Sequence, residues 1–144
     1  MKVEKLNEHA YLIDVETGGL ENFIATYVLK SARAAIIETG PTSSIPNLLS
    51  GLKKINVRTE DVEYIAVTHI HLDHGGGVGT LLKNLPNAKV IAHPTAAQHL
   101  INPEKLWQQS IIVQGKQITN MYLAPEPVPA GRILDVKDGM TFEL

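Results

Sequence analysis

The 144-residue sequence has no cysteine, which excludes disulfides and every thiolate metal site. It also lacks any apolar run near the roughly 20 residues needed to span a bilayer. Its first residues, Met1-Lys2-Val3-Glu4-Lys5, mix charges and carry no apolar stretch of signal-peptide type, so the expected setting is the cytoplasm. A marked excess of either charge is missing as well. A net charge of -2 leaves no concentrated basic face, and nucleic acid is not an expected partner. What is present is an ordinary globular composition, 44% hydrophobic, in a length that suits one domain (1–144) with a real core. The partner classes left open are a small molecule or another protein surface.

Against this plain background one stretch stands out, Thr68-His69-Ile70-His71-Leu72-Asp73-His74-Gly75-Gly76-Gly77. It holds three of the chain's six histidines. Imidazole and carboxylate are the ligands of hydrolytic metal ions, zinc above all. Side chains at i and i+2 of an extended segment share a side, so His69, His71 and Asp73 are expected to project together, with His74 out of phase. A loop of exposed histidines is the alternative. It suits a single histidine better than four clustered polar groups, which rarely satisfy one another without an ion.

The rest of the chain reads as strands and helices arranged around that stretch. Val3–Leu6, Ala10–Val15, Phe23–Leu29 and Ala34–Glu38 are strand-like runs separated by turn residues. Ile45, Leu48, Leu49, Leu52 and Ile55 recur at helical spacing after the break at Gly40-Pro41. Tyr64-Ile65-Ala66-Val67 is apolar without alternation, the pattern of a strand buried on both faces, and the histidines begin at its carboxyl end. Ligands of open α/β sheets bind there. Val78, Leu81, Leu82 and Leu85 suggest a helix starting in the glycines, and Lys89–Ala92 a further strand. Trp107, Ile111, Ile118 and Tyr122 suggest one helical stripe, and Pro125–Gly131 a stiff exposed loop. Ile133–Val136 reads as a short strand, with Phe142 and Leu144 opening another. His9 and His99 read as surface residues and His93 as structural, while Glu38 is either a strand-end carboxylate in solvent or a neighbour of the site.

His69-Ile-His71-Leu-Asp73-His74 resembles the HxHxDH signature of the metallo-β-lactamase-fold hydrolases. Glu38-Thr39-Gly40 is similar to the family's Asp-x-Gly turn, and Asp138-Gly139-Met140-Thr141-Phe142 to its DGD-x-hydrophobic turn. The resemblance implies an α/β (α+β) fold: a mixed sheet covered by helices, forming the N-terminal half of an αβ/βα sandwich. It implies a metal-dependent, zinc hydrolase in which metal-bound hydroxide attacks a small ester, thioester or lactone. His69 and His71 would serve one zinc ion, Asp73 and His74 a second, and Asp73 would orient the hydroxide as the catalytic carboxylate. Glu38 would hydrogen-bond near these ligands, and Trp107 and Tyr122 would help shape the substrate pocket. Di-iron relatives carry Glu where this chain has His71, so zinc is favoured over iron or manganese.

The family's second half supplies a further His, a bridging Asp and a last His, and this chain has no second histidine cluster. Three expectations follow. The chain is a fragment of a longer enzyme, or it works as a homo-oligomer or with a complementary C-terminal half. Alternatively it is a non-catalytic metal-binding or packing half-domain.

Overall fold

A computed structural model describes residues 1–144. Six strands form one mixed sheet in sequence order: β1 (Val3–Lys5), β2 (Ala10–Asp14), β3 (Ala25–Lys30), β4 (Ala34–Ile37), β5 (Val62–Ala66) and β6 (Lys89–Ile91). The first four pair antiparallel, β1–β2 and β3–β4 through short turns and β2–β3 through the longer segment 15–24. β5 and β6 join in parallel, which requires crossovers. The β4–β5 crossover carries helix α1 (Ile45–Lys54), and the β5–β6 crossover carries α2 (Leu72–Gly75) and α3 (Val78–Leu82). Three more helices follow β6: α4 (Pro94–Ile101), α5 (Glu104–Gln114) and α6 (Lys116–Tyr122). No helix is long and apolar enough to cross a membrane.

The core lies on one face of the sheet. Ile13, Val28, Ile36, Ile65 and Val90, one from each of five strands, are all 0% exposed. They cluster with Leu48 and Leu52 of α1 and with Leu81 and Leu85 beside α3. Each such side chain contributes about 1.5–3 kcal/mol through burial. The helical periodicity from Ile45 to Ile55 thus does what its spacing suggested, laying one apolar stripe on the sheet.

The opposite face is different. The run Tyr64–Val67 was expected to be covered on both sides, yet only Ile65 and Val67 are buried; Tyr64 and Ala66 are half-exposed. Continuous hydrophobicity here reflects two chemically similar faces, of which helices cover one.

Other expectations are also corrected. Gly115, with φ at 84°, breaks the expected single helix of Trp107 to Tyr122 into α5 and α6. The Ile133–Val136 strand shrinks to one bridge between Val90 and Ile133, and Phe142 and Leu144 lie outside any strand. The proline-rich loop is largely exposed, as expected, but is pinned at two residues. Val128 is buried and donates its N–H to Leu100 O at 2.9 Å. Glu126 accepts from Thr80 Oγ1 at 2.6 Å and Lys83 Nζ at 2.7 Å. Those two donors hold the Glu126 carboxyl below its usual range.

Gly79 allows this docking, because a Cβ there would collide with the carbonyl oxygen of Glu126. Gly79→Ala should therefore destabilise the chain by about 1–3 kcal/mol in urea denaturation, as overpacking does. Early proteolytic cleavage within 125–131 should accompany the loss. Lowering the pH through the carboxylate range should loosen the same loop in the wild type. A group whose folded pKa is depressed contributes stability above its unfolded pKa and loses it as pH falls through the folded value.

Candidate metal centre

Parallel pairing of β4 with β5 sets two turns side by side at their carboxyl ends. The ladder runs one residue past β4, where the Glu38 N–H donates to Ala66 O at 2.9 Å. The chain then turns at Glu38 itself, with φ at 66° in the left-handed region. A non-glycine residue there costs on the order of 1–3 kcal/mol unless its surroundings fix it. They do. Glu38 Oε1 accepts the Thr68 N–H at 2.7 Å, so the side chain of one turn caps the backbone of the other. The two turns are further laced by Thr39 N–H to His74 O at 2.8 Å and Gly77 N–H to Gly40 O at 2.9 Å. Thr39 Oγ1 and Thr42 Oγ1 add bonds at 3.1 Å to His74 O and Gly76 O.

Glu38 is only 7% exposed, so the reading of it as a solvent-facing strand end is excluded. The sequence signal was the glycine two residues on, in a turn resembling Asp-x-Gly.

The histidine stretch is extended only as far as His71, whose φ and ψ are -53° and 145°. Asp73 and His74 already belong to the first turn of α2. The i, i+2 grouping of His69, His71 and Asp73 therefore gives way to another. His69 and His74 face each other, ring centroids 4.1 Å apart, and His71 meets His69 edge-on at 4.8 Å. Helical geometry swings His74 back over the segment it follows, so it joins the cluster instead of leaving it.

Donor atoms of Glu38, His69 and His74 lie within 4.8 Å of one another. His74 stands between two carboxylates, Nδ1 3.1 Å from Glu38 Oε2 and Nε2 3.5 Å from Asp73 Oδ2. The first contact lacks hydrogen-bond alignment, which leaves Glu38 Oε2 buried without a partner. A neutral imidazole has a single N–H and cannot serve both carboxylates. A buried, unpartnered carboxylate oxygen facing two imidazoles is a donor set that suits a zinc-type cation. His69 Nδ1 is oriented by Thr68 Oγ1 at 2.9 Å, the outer contact that typically fixes a ligating imidazole.

His71 is exposed and turned toward a cleft of about 200 Å³, walled by Leu106, Gln109, Ser110, Val113 and Gln114 of α5. Tyr122 is buried with Leu72 and Leu106. Its hydroxyl is held above its usual pKa by burial and then by the charge of Asp73. His93 caps α4, its Nδ1 accepting the Thr95 N–H at 3.2 Å, and His9 Nδ1 lies 3.1 Å from Lys30 O. A cleft of about 820 Å³ between the end of α1 and the turn before β5 touches no histidine.

The sequence profile of the metallo-beta-lactamase superfamily matches residues 21–144. This chain belongs to that superfamily. Solved structures agree on the fold. The chain is similar to a metallo-beta-lactamase from Cronobacter sakazakii carrying a HARLDQ-motif mutation, at TM-score 0.72 and 21% identity. It is also similar to MEM-A1, a subclass B3 enzyme from a soil metagenome (0.74, 21%), and to BJP-1 of Bradyrhizobium japonicum (0.71, 22%). Each match covers 100% of this chain but only 48–50% of the other. The chain thus corresponds to about half of those folds, the N-terminal half. Uncharacterized protein MJ0732 of Methanocaldococcus jannaschii is 28% identical over 95 residues, 65% of this chain and 24% of that one.

Glu38→Ala should leave the Thr68 N–H without its buried acceptor and cost about 1–3 kcal/mol in urea denaturation. It should also weaken zinc binding by about 10–100-fold in calorimetric titration, the usual cost of losing such a carboxylate.

Proposed function

We propose that this chain is the metal-holding half of a zinc-dependent hydrolase that cleaves a small ester, thioester or lactone. The observation that carries the reading is the buried, unpartnered Glu38 Oε2 among the ring nitrogens of His69 and His74. Superfamily membership supplies the reaction class, and the near-neutral charge balance favours a small substrate over nucleic acid. In this reading His69 and His74 hold the ion, with His71 and Asp73 completing the donor set around one or two ions. Bound zinc supplies Lewis acidity, polarising a carbonyl and making water acidic enough to attack at neutral pH.

The chain's own residues do the rest. Thr68 Oγ1 orients the His69 ring, and Glu38 holds the Thr68 backbone in place before any ligand arrives; this preorganisation spares reorganisation during reaction. Asp73, on the first turn of α2 and beside His74 Nε2, orients the attacking water and takes up its proton. The cleft between His71 and α5 receives the acyl portion, its Leu106 and Val113 apolar and its Gln109 and Gln114 able to bond a carbonyl or amide.

A second reading is a half-domain that binds metal or packs against a partner without doing chemistry. The chain's span favours it: each solved fold that it matches is covered only to 48–50%. Metal content and turnover together separate the two. The hydrolase reading expects about one or two zinc ions per chain and hydrolysis of p-nitrophenyl acetate or γ-butyrolactone that a chelator abolishes and zinc restores. His69→Ala and His74→Ala should each lower that turnover by on the order of 100-fold. Zinc-loaded protein with turnover no higher than buffer would leave the binding half-domain.

A further inference from the structure

The cleft of about 820 Å³ opens beside the turn that leads into β5, whereas the histidines follow the other end of that strand. Its size is that of small-molecule sites, which run from about 300 to 1,000 Å³. Its shape follows from two helices of unequal length. α1 and α3 start together, Gly77 at the head of α3 lying against Ile45 at the head of α1. α1 then runs 10 residues and α3 only 5. At 1.5 Å per residue α1 continues about 7 Å beyond the length of α3. Its last turns, which carry Leu49 and Leu52, are left open on that side. Asn56 then turns the chain in the left-handed region, with φ at 54°, and Val57 donates its N–H to Leu52 O at 2.9 Å. Leu52 and Val57 are buried and, with half-buried Leu49, give the cleft an apolar floor.

The rim is polar, and most of its charge is already committed. Arg58 donates from Nε and Nη2 to the Asp61 carboxylate at 2.9 and 3.0 Å. Lys30 caps the carbonyls of Ile55 and Asn56 at 2.9 and 3.3 Å. Two charges remain. Lys53 and Glu60 both line the cleft, both are exposed, and neither side chain forms an ion pair. Asn84, on the far wall, donates its amide to Thr80 O at 3.3 Å, which leaves its Oδ1 open to accept.

We propose that this cleft binds a zwitterion with an apolar body: a free α-amino acid with a large aliphatic side chain, or a short peptide of such residues. Lys53 takes the carboxylate, and Glu60 with Asn84 Oδ1 takes the ammonium. The aliphatic side chain lies on Leu49, Leu52 and Val57. A ligand with a negative charge alone leaves Glu60 unanswered, and one with a positive charge alone leaves Lys53 so, which is how a site discriminates between related molecules. The site is separate from the histidine cluster and does not rest on the hydrolase reading.

Amide NMR titration of the full chain tests it, with L-leucine and leucyl-leucine as probes. Saturable shifts at Leu49, Lys53, Val57 and Asn84 are expected, with half-saturation below about 1 mM. Leucine amide lacks the carboxylate and isocaproate lacks the ammonium, so each should bind roughly tenfold more weakly than leucine. Equal affinity for all three overturns the ligand class. Both free charges are exposed, so replacing them does not threaten folding. Lys53→Gln should remove the preference for leucine over its amide, and Glu60→Gln the preference over isocaproate. Preferences unchanged in both variants overturn the assigned charges. Saturation by leucyl-leucine alone assigns a peptide, and by leucine as well a free amino acid. No saturation up to about 10 mM with either probe, or shifts centred on His69 to His74, overturns the site.

Discussion

The parallel pairing of β4 with β5 is the contact on which the site depends. It brings the chain out of two neighbouring strands in the same direction, so that the turn at Glu38 and the turn at Thr68 leave the sheet together. A carboxylate from the first then caps an amide of the second, and the backbone bonds of Thr39 and Gly77 fasten the pair. The histidines inherit their positions from this lacing. Without it they would sit on a glycine-rich loop with little to hold them.

Packing explains why the pairing is stable enough to bear a strained residue. One face of β2 to β6 contributes fully buried Ile and Val side chains, and α1 and α3 close over them. Fixing that layer fixes the crossover helices, and with them the direction from which α2 presents Asp73 and His74. The left-handed backbone at Glu38 is tolerated because a strand precedes it and a hydrogen bond follows it. Strain, burial and an unpartnered oxygen thus coincide in one residue at the place where the cluster needs a fixed negative charge.

The same sheet leaves a second requirement unmet. Its outer face is apolar enough to have read as core in the sequence, and in this chain only Phe142 and Leu144 lie on it. The chain spans about half of the solved superfamily folds that it matches.

Much of this was legible in the residues themselves. Strands β1 to β6 announce themselves as short apolar runs between turn residues, and helix α1 by its periodicity, since both are local patterns. The His69–His74 spacing points to a candidate metal site because few other arrangements bring those side chains together. Other features were decided only by tertiary structure. Tyr64-Ile65-Ala66-Val67 is apolar throughout, and only the layer order reveals which of its faces is covered. Whether His74 stands apart from the cluster or within it turned on where extended chain became helix, a boundary set by the turn's bonds to Thr39 and Gly40. Glu38 looks like any strand-end carboxylate until β4 and β5 are paired; its burial and its hold on Thr68 arise from a residue 30 positions away. Sequence determines what each segment can bury or bind, and long-range pairing determines which of those capacities meet.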